Sequence, residues 1–138
     1  MRHYECEAGW TGYSQPAAIT KGDFMDLEGK PDFKEVRHMT HNIFHVDGTG
    51  ELRHLDHILS LPQIQAIQWV QGVGDELPIL QWLHVIKRIQ AAGKGVVVDL
   101  QLSELEPFIA AMKPDGLYLC IAAEEKIQPD ILKRLKEW

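Results

Sequence analysis

The chain is poor in cysteine. Cys6 and Cys120 are the only two, far apart and without the spacing of a disulfide framework, so they read as reduced thiols of a cytoplasmic protein. Long hydrophobic runs are absent, and nothing approaches the roughly 20 apolar residues that a membrane span requires. The opening "MRHYECEAGW" has no apolar core of a secretion signal. Positive charge is also scarce. Lys and Arg number 14 against 20 Asp and Glu, the net charge is −6, and the basic residues are scattered. Nucleic-acid and anionic-membrane surfaces need clustered positive charge, so neither partner is expected. No internal repeat or low-complexity tract is visible. What is present is ordinary for one domain: 138 residues, 45% hydrophobic and 25% charged, enough to bury a core.

From Asn42 onward, four short apolar runs alternate with helical patterns. The runs are "IFHV" (Ile43–Val46), "AIQWV" (Ala66–Val70), "GVVVDL" (Gly95–Leu100) and "GLYLCIA" (Gly116–Ala122). Their length and β-branched and aromatic content predict strands buried on both faces, as in parallel sheets. Between them, Leu52, Leu55, Ile58 and Leu59 recur at helical spacing, and so do Ile79, Leu80, Leu83, Ile86 and Ile89. Gly93 is placed to end the second helix, with Lys87 and Arg88 near its favourable pole. Ser103, with Glu106 three residues on, predicts a capping box, and Pro107 falls within the first turn of that helix. "PDILKRLKEW" closes the chain as an amphipathic helix. Strand-to-strand spacings of about 20 to 30 residues suit βα units. The fold expected is α/β, built of parallel (βα) units.

Residues 1–30 differ. "AGWTGYSQPAAITKGDF" is rich in turn formers and has no period, so an irregular segment is expected there, followed by a (βα)4 domain over 31–138. "PDFKEVRHMTH" predicts a helix presenting Phe33, Val36 and Met39 to the sheet. Four parallel strands fit either a small open sheet or half of an eight-stranded barrel, which takes about 250 residues. Both place functional groups at the C-terminal ends of strands. Those ends carry His45 and Asp47, then Trp69 and Gln71, then Asp99, then Cys120.

"HVDGTGELRHLDH" poses the sharpest chemical question. A Gly-rich turn before a helix offers N–H groups to anions. However, neither GxGxxG nor GxxxxGK[ST] is present, and Glu51 sits where a phosphate would be repelled. The turn therefore reads as a strand-to-helix connection with Thr49 or Asp47 as cap. His38 and His41 belong to the preceding helix. His54 and His57, without the Glu of HExxH, read as surface or helix–sheet residues. His45 stands apart, inside an apolar strand near its end. Cys120 reads either as a small buried hydrophobe or as a ligand. His45, Asp47 and Cys120 would together offer zinc an imidazole, a carboxylate and a thiolate.

"HNIFHVDGTGELRHLDHILSLPQIQAIQWVQGVG", followed by "LQWLHVIKRIQAAGKGVVV", resembles the C-terminal half of the uroporphyrinogen decarboxylase-like superfamily. The branch most similar contains bacterial relatives of corrinoid-dependent methyltransferases, including trimethylamine corrinoid protein-like members. The likeness runs from about Lys30 to Trp138 and rests on the "FHVDG…LRHLD" turn, "AIQWV" and "IQAAGKG". It implies a TIM barrel of which this chain supplies the last four βα units. It also implies a zinc site in which His45 matches a His-x-Cys pair, Cys120 matches a later Cys, and Asp47 replaces the middle thiolate.

A carboxylate in that place leaves a harder, weaker zinc site. The arginine-rich loop with which the decarboxylases hold porphyrin carboxylates has no counterpart here, so porphyrinogen decarboxylation by this chain alone is not expected. Three readings stay open. One is a methyltransferase-like enzyme half acting on a methylated amine, a thiol or a corrinoid carried by a partner protein, with His45, Asp47 and Cys120 at the mouth. Another is a small-molecule binding module using Asp47, Gln68, Trp69, Gln71 and Asp99. The last is a half-barrel that pairs with a copy of itself, as a homodimer, or with a separate N-terminal half.

Overall fold

The computed structural model describes residues 40–138. The expected segment 1–30, the helix with Phe33, Val36 and Met39, His38 and Cys6 therefore lie outside the described residues. Thr40 and His41, from the end of that expected helix, form a bend. The remainder is four βα units. Strand β1 (Ile43–Asp47) leads to α1 (Leu55–Leu59), β2 (Ala66–Val70) to α2 (Leu83–Ala91), β3 (Gly95–Leu100) to α3 (Leu105–Ala111), and β4 (Leu117–Ile121) to α4 (Gln128–Lys136). The strands are parallel and lie in sequence order, β1-β2-β3-β4. In register, His45 pairs with Gln68, Gln68 with Val97, and Val97 with Tyr118.

One face of this sheet is dry and the other is not. Phe44, Val46, Ile67, Trp69, Val96, Val98 and Leu100 are buried together with Leu55, Ile58, Val85, Ile86, Ile89, Leu105, Phe108 and Ile109 of the helices. Successive strand side chains point to opposite faces, so the residues between them lie on the other side. These include Ile43, His45, Asp47, Gln68, Val97, Asp99, Tyr118 and Cys120, which are half-buried or exposed. The expectation of strands buried on both faces is thus not met among the described residues, whose helices cover one side only. Consecutive strand order with helices on a single face is the arrangement of half a parallel barrel.

The helices start later than the apolar period suggests. Three-ten turns occupy Thr49–His54, Ile79–Trp82, Leu102–Glu104 and Glu125–Ile127, and each runs directly into its α-helix. No side chain caps any of them. Gly48, at φ 74°, holds the cap position of the first turn, so neither Thr49 nor Asp47 acts as the expected cap. The Ser103–Glu106 capping box does not form either. Ser103 falls inside a three-ten turn, and Glu106 instead receives a forked pair of hydrogen bonds from Arg134 of α4 at 2.9 Å each. Gly93 does take the left-handed conformation (φ 73°) that ends α2.

Candidate functional site

The sequence stretch that raised the phosphate question folds as a closed turn. The Gly48 N–H donates to the Val70 carbonyl at 2.8 Å, extending the β1–β2 ladder by one bond. Glu51, only 3% exposed, turns back so that its carboxylate accepts the Asp47 N–H at 2.8 Å. A carboxylate therefore occupies the place an anion would take. Sequence reasoning found Glu51 hostile to phosphate but missed that it is a structural acceptor.

On the uncovered face, His45 and Gln68 occupy adjacent strands in register. The His45 Nδ1 and the Gln68 amide oxygen lie 3.0 Å apart. An amide oxygen only accepts, so in this pairing Nδ1 is the donor. A second pair lies on the same face toward the other edge of the sheet, where Asp99 and Cys120 are register partners. Burial, first, then the Asp99 charge and a thiol hydrogen bond to its carboxylate push the Cys120 thiol up from its ordinary pKa. Cys120 is accordingly held as a thiol, the reverse of what a nucleophile or a zinc ligand needs.

These two pairs do not meet. β1 and β4 are the outer strands, three interstrand spacings apart, roughly 14 Å measured along the sheet. Among the described residues, no group of three His, Cys, Asp or Glu side chains could hold a metal. The expected set of His45, Asp47 and Cys120 is therefore not assembled within them. Sequence spacing could place each residue at a strand end, but it could not say which strands are neighbours.

Trp69 departs from the pocket expected of it, whereas Gln71 lines the cleft at the strand ends. Trp69 alternates with Gln68 and so faces the helices. It is fully buried, with its ring centroid 5.3 Å from that of Trp82. It belongs to the core and does not line the open face. Gln71 is buried just past the end of β2. Its amide donates to the Leu77 carbonyl at 2.7 Å and to the Asp99 carbonyl at 3.3 Å. It clamps the loop after β2 to the end of β3.

That clamp shapes one wall of an open cleft of about 770 Å³ at the C-terminal ends of β2, β3 and β4. Gln71, Leu77, Asp99, Leu102, Tyr118 and Cys120 are among its lining residues. Leu77, Leu102 and Tyr118 are large exposed apolar groups that sequence reasoning did not select. Their signal was available in principle: two leucines in loops directly after strands, and a tyrosine two positions before Cys120. Among the described residues, no helix is long and apolar enough to cross a membrane. Comparison with protein-family models, with curated proteins and with solved structures finds no match to this chain.

Proposed function

We propose that the chain is a small-molecule-binding relative of the uroporphyrinogen decarboxylase-like superfamily, holding its ligand at the C-terminal ends of β1–β4. The observation that carries this reading is the sheet face that no helix among the described residues covers. Its polar groups stand in pairs, His45 with Gln68 at mid-strand and Asp99 with Cys120 toward the strand ends, where parallel α/β folds place ligands. The resemblance of the "FHVDG…LRHLD" turn and "AIQWV" supports the same assignment. Methyl transfer by a zinc thiolate is the weaker reading. The described residues do not supply that ligand set, and the thiol of Cys120 sits beside a carboxylate that opposes its ionisation. Zinc, and a corrinoid delivered by a partner protein, belong only to that second reading.

Methyl transfer from methylcobalamin to a thiol, assayed with added zinc, separates the two. No turnover is expected, and less than one equivalent of zinc should survive dialysis. Turnover or stoichiometric zinc that disappears in His45→Ala would establish the enzyme and overturn the binding-only reading. The uncovered face and the two outer strands also favour assembly with a second copy or with a separate N-terminal half-barrel.

A further inference from the structure

The alternation of β3 continues one residue past its end. Asp99 is exposed, Leu100 is buried and Gln101, still extended, is exposed, so Asp99 and Gln101 project to the same side. Both line the cleft at the strand ends, and so does Tyr118 of β4. Tyr118 pairs with Val97, one step of the open face below the Asp99–Cys120 row. Strand rise and spacing set its Cα roughly 8 Å from that of Asp99. The Tyr118 side is 66% exposed. An ionised carboxylate has about four acceptor positions across its two oxygens, so the hydrogen bond between Asp99 and Cys120 leaves most of them open. Leu77 and Leu102 add apolar surface from the loops after β2 and β3.

From this set, and resting on the binding reading above, we propose that the cleft takes a neutral polyhydroxylated ring, a pyranose sugar. The carboxylate only accepts hydrogen bonds, whereas the Gln101 carboxamide both donates and accepts, and so does a hydroxyl. Neighbouring hydroxyls on one edge of the ring therefore satisfy both side chains and replace the water that each gives up. Hydrogen bonds to a charged acceptor are the stronger kind, which makes Asp99 the anchor. A pyranose also has a face of C–H groups, and these pack on the electron-rich face of Tyr118. An apolar ring without hydroxyls would strip water from Asp99 and Gln101 and return little. An acyclic polyol would supply hydroxyls without the flat face, and would lose more conformational freedom on binding.

The test is heteronuclear NMR titration of the full chain with three neutral probes. Methyl β-glucopyranoside carries both the hydroxyls and the ring face, cyclohexanol carries the ring with a single hydroxyl, and glycerol carries hydroxyls alone. The pyranoside is expected to perturb the amides around Asp99, Gln101, Tyr118 and Cys120, and to bind about tenfold tighter than either of the others. Asp99→Asn and Tyr118→Ala should each lower its affinity about tenfold, with the rest of the spectrum retained. Gln101→Ala, at an exposed position outside the strand, should weaken binding without touching the core. Cyclohexanol or glycerol binding as tightly at the same amides would overturn the sugar assignment and leave a binding cleft standing. Silence of all three probes would overturn the sugar assignment, and the methyl-transfer assay above then decides the binding reading by itself.

Discussion

The Glu51 carboxylate accepts the backbone N–H of Asp47, four residues earlier, and so closes the β1 turn from inside. That single bond explains why the turn is not a phosphate loop, since the amide and the space an anion would use are already taken. Glu51→Ala should destabilise the fold by about 1–2 kcal/mol, because it leaves a partly buried amide without its acceptor. Glu51→Gln, which keeps an acceptor oxygen, should cost less. Urea unfolding of both variants measures the difference, and equal losses would show that the hydrogen bond is not what matters.

At the opposite end of the sheet, Lys94 is 8% exposed and its ammonium donates to the carbonyls of Leu61 and Ile64. Burial lowers its pKa. The unfolded chain therefore holds this proton to higher pH than the folded chain does. Stability should rise with pH between the lowered folded value and the ordinary lysine value, and the burial penalty is fully present below that window. Lys94→Met should flatten this rise, and should cost about 1–2 kcal/mol at neutral pH through the two carbonyls left without a donor. Denaturant titrations of both proteins across the alkaline range provide the check.

The fold was legible because its signals are local. Runs such as "AIQWV" and "GVVVDL" have the length and composition of strands, and the observed β2 and β3 span those residues. What was not read is the alternation inside the runs. His45 and Asp47 in β1, Gln68 in β2, and Asp99 in β3 occupy every second position, a period-two polar stripe that marks an uncovered face. Apolar enrichment masked it. The same alternation separates Trp69 from Gln68, so a pocket containing both was never geometrically open. The proposed ligand set rests on more than the runs themselves. Whether Cys120 reaches His45 depends on strand order and closure, and spacing along the chain contains neither.

Because Asp99 helps to hold Cys120 as a thiol, its removal should activate the sulfur. Asp99→Asn deletes a negative charge and weakens the hydrogen bond, so the Cys120 pKa should fall and a larger fraction should be thiolate at neutral pH. Alkylation by iodoacetamide, in a Cys6→Ser background, should be faster in this variant. The gain should shrink as pH is raised to where both thiols are ionised. An unchanged rate across the pH range would mean that burial alone sets the thiol.

Trp69 tests the division of the sheet into two faces. Its indole Nε1 has no hydrogen-bond partner among the described residues, so Trp69→Phe loses packing volume but no polar contact. A cost of about 1–2 kcal/mol is expected, below that of a full truncation. Ligand affinity at the open face should be unchanged. Gln68→Ala should do the reverse, with little effect on stability and a measurable loss of affinity. A pocket role for Trp69 would be shown by lost affinity in the Phe variant.

Assembly follows from the same uncovered face. β1 and β4 each have one side without a strand neighbour within the described sheet. Such edges leave backbone N–H and C=O groups open to pairing, and closed barrels are the arrangement that removes them. A two-fold axis along the barrel axis keeps every strand direction unchanged. It would therefore set β4 of one copy beside β1 of the other, twice, in the parallel sense the sheet already has. Ile43, Val97 and Tyr118 would be drawn toward the closed interior; Ile43 and Tyr118 are 43% and 66% exposed in the single chain. Closed two-fold pairs are also the commonest symmetric solution for a self-complementary chain. Sedimentation equilibrium at micromolar concentration should give twice the 15.7 kDa chain mass. Val97→Glu, which places a charge at the middle of the open face, should shift the equilibrium to monomer without unfolding the helix-covered core. A wild-type monomer with a cooperative unfolding transition would show that this face is stable in water and that the pairing does not occur.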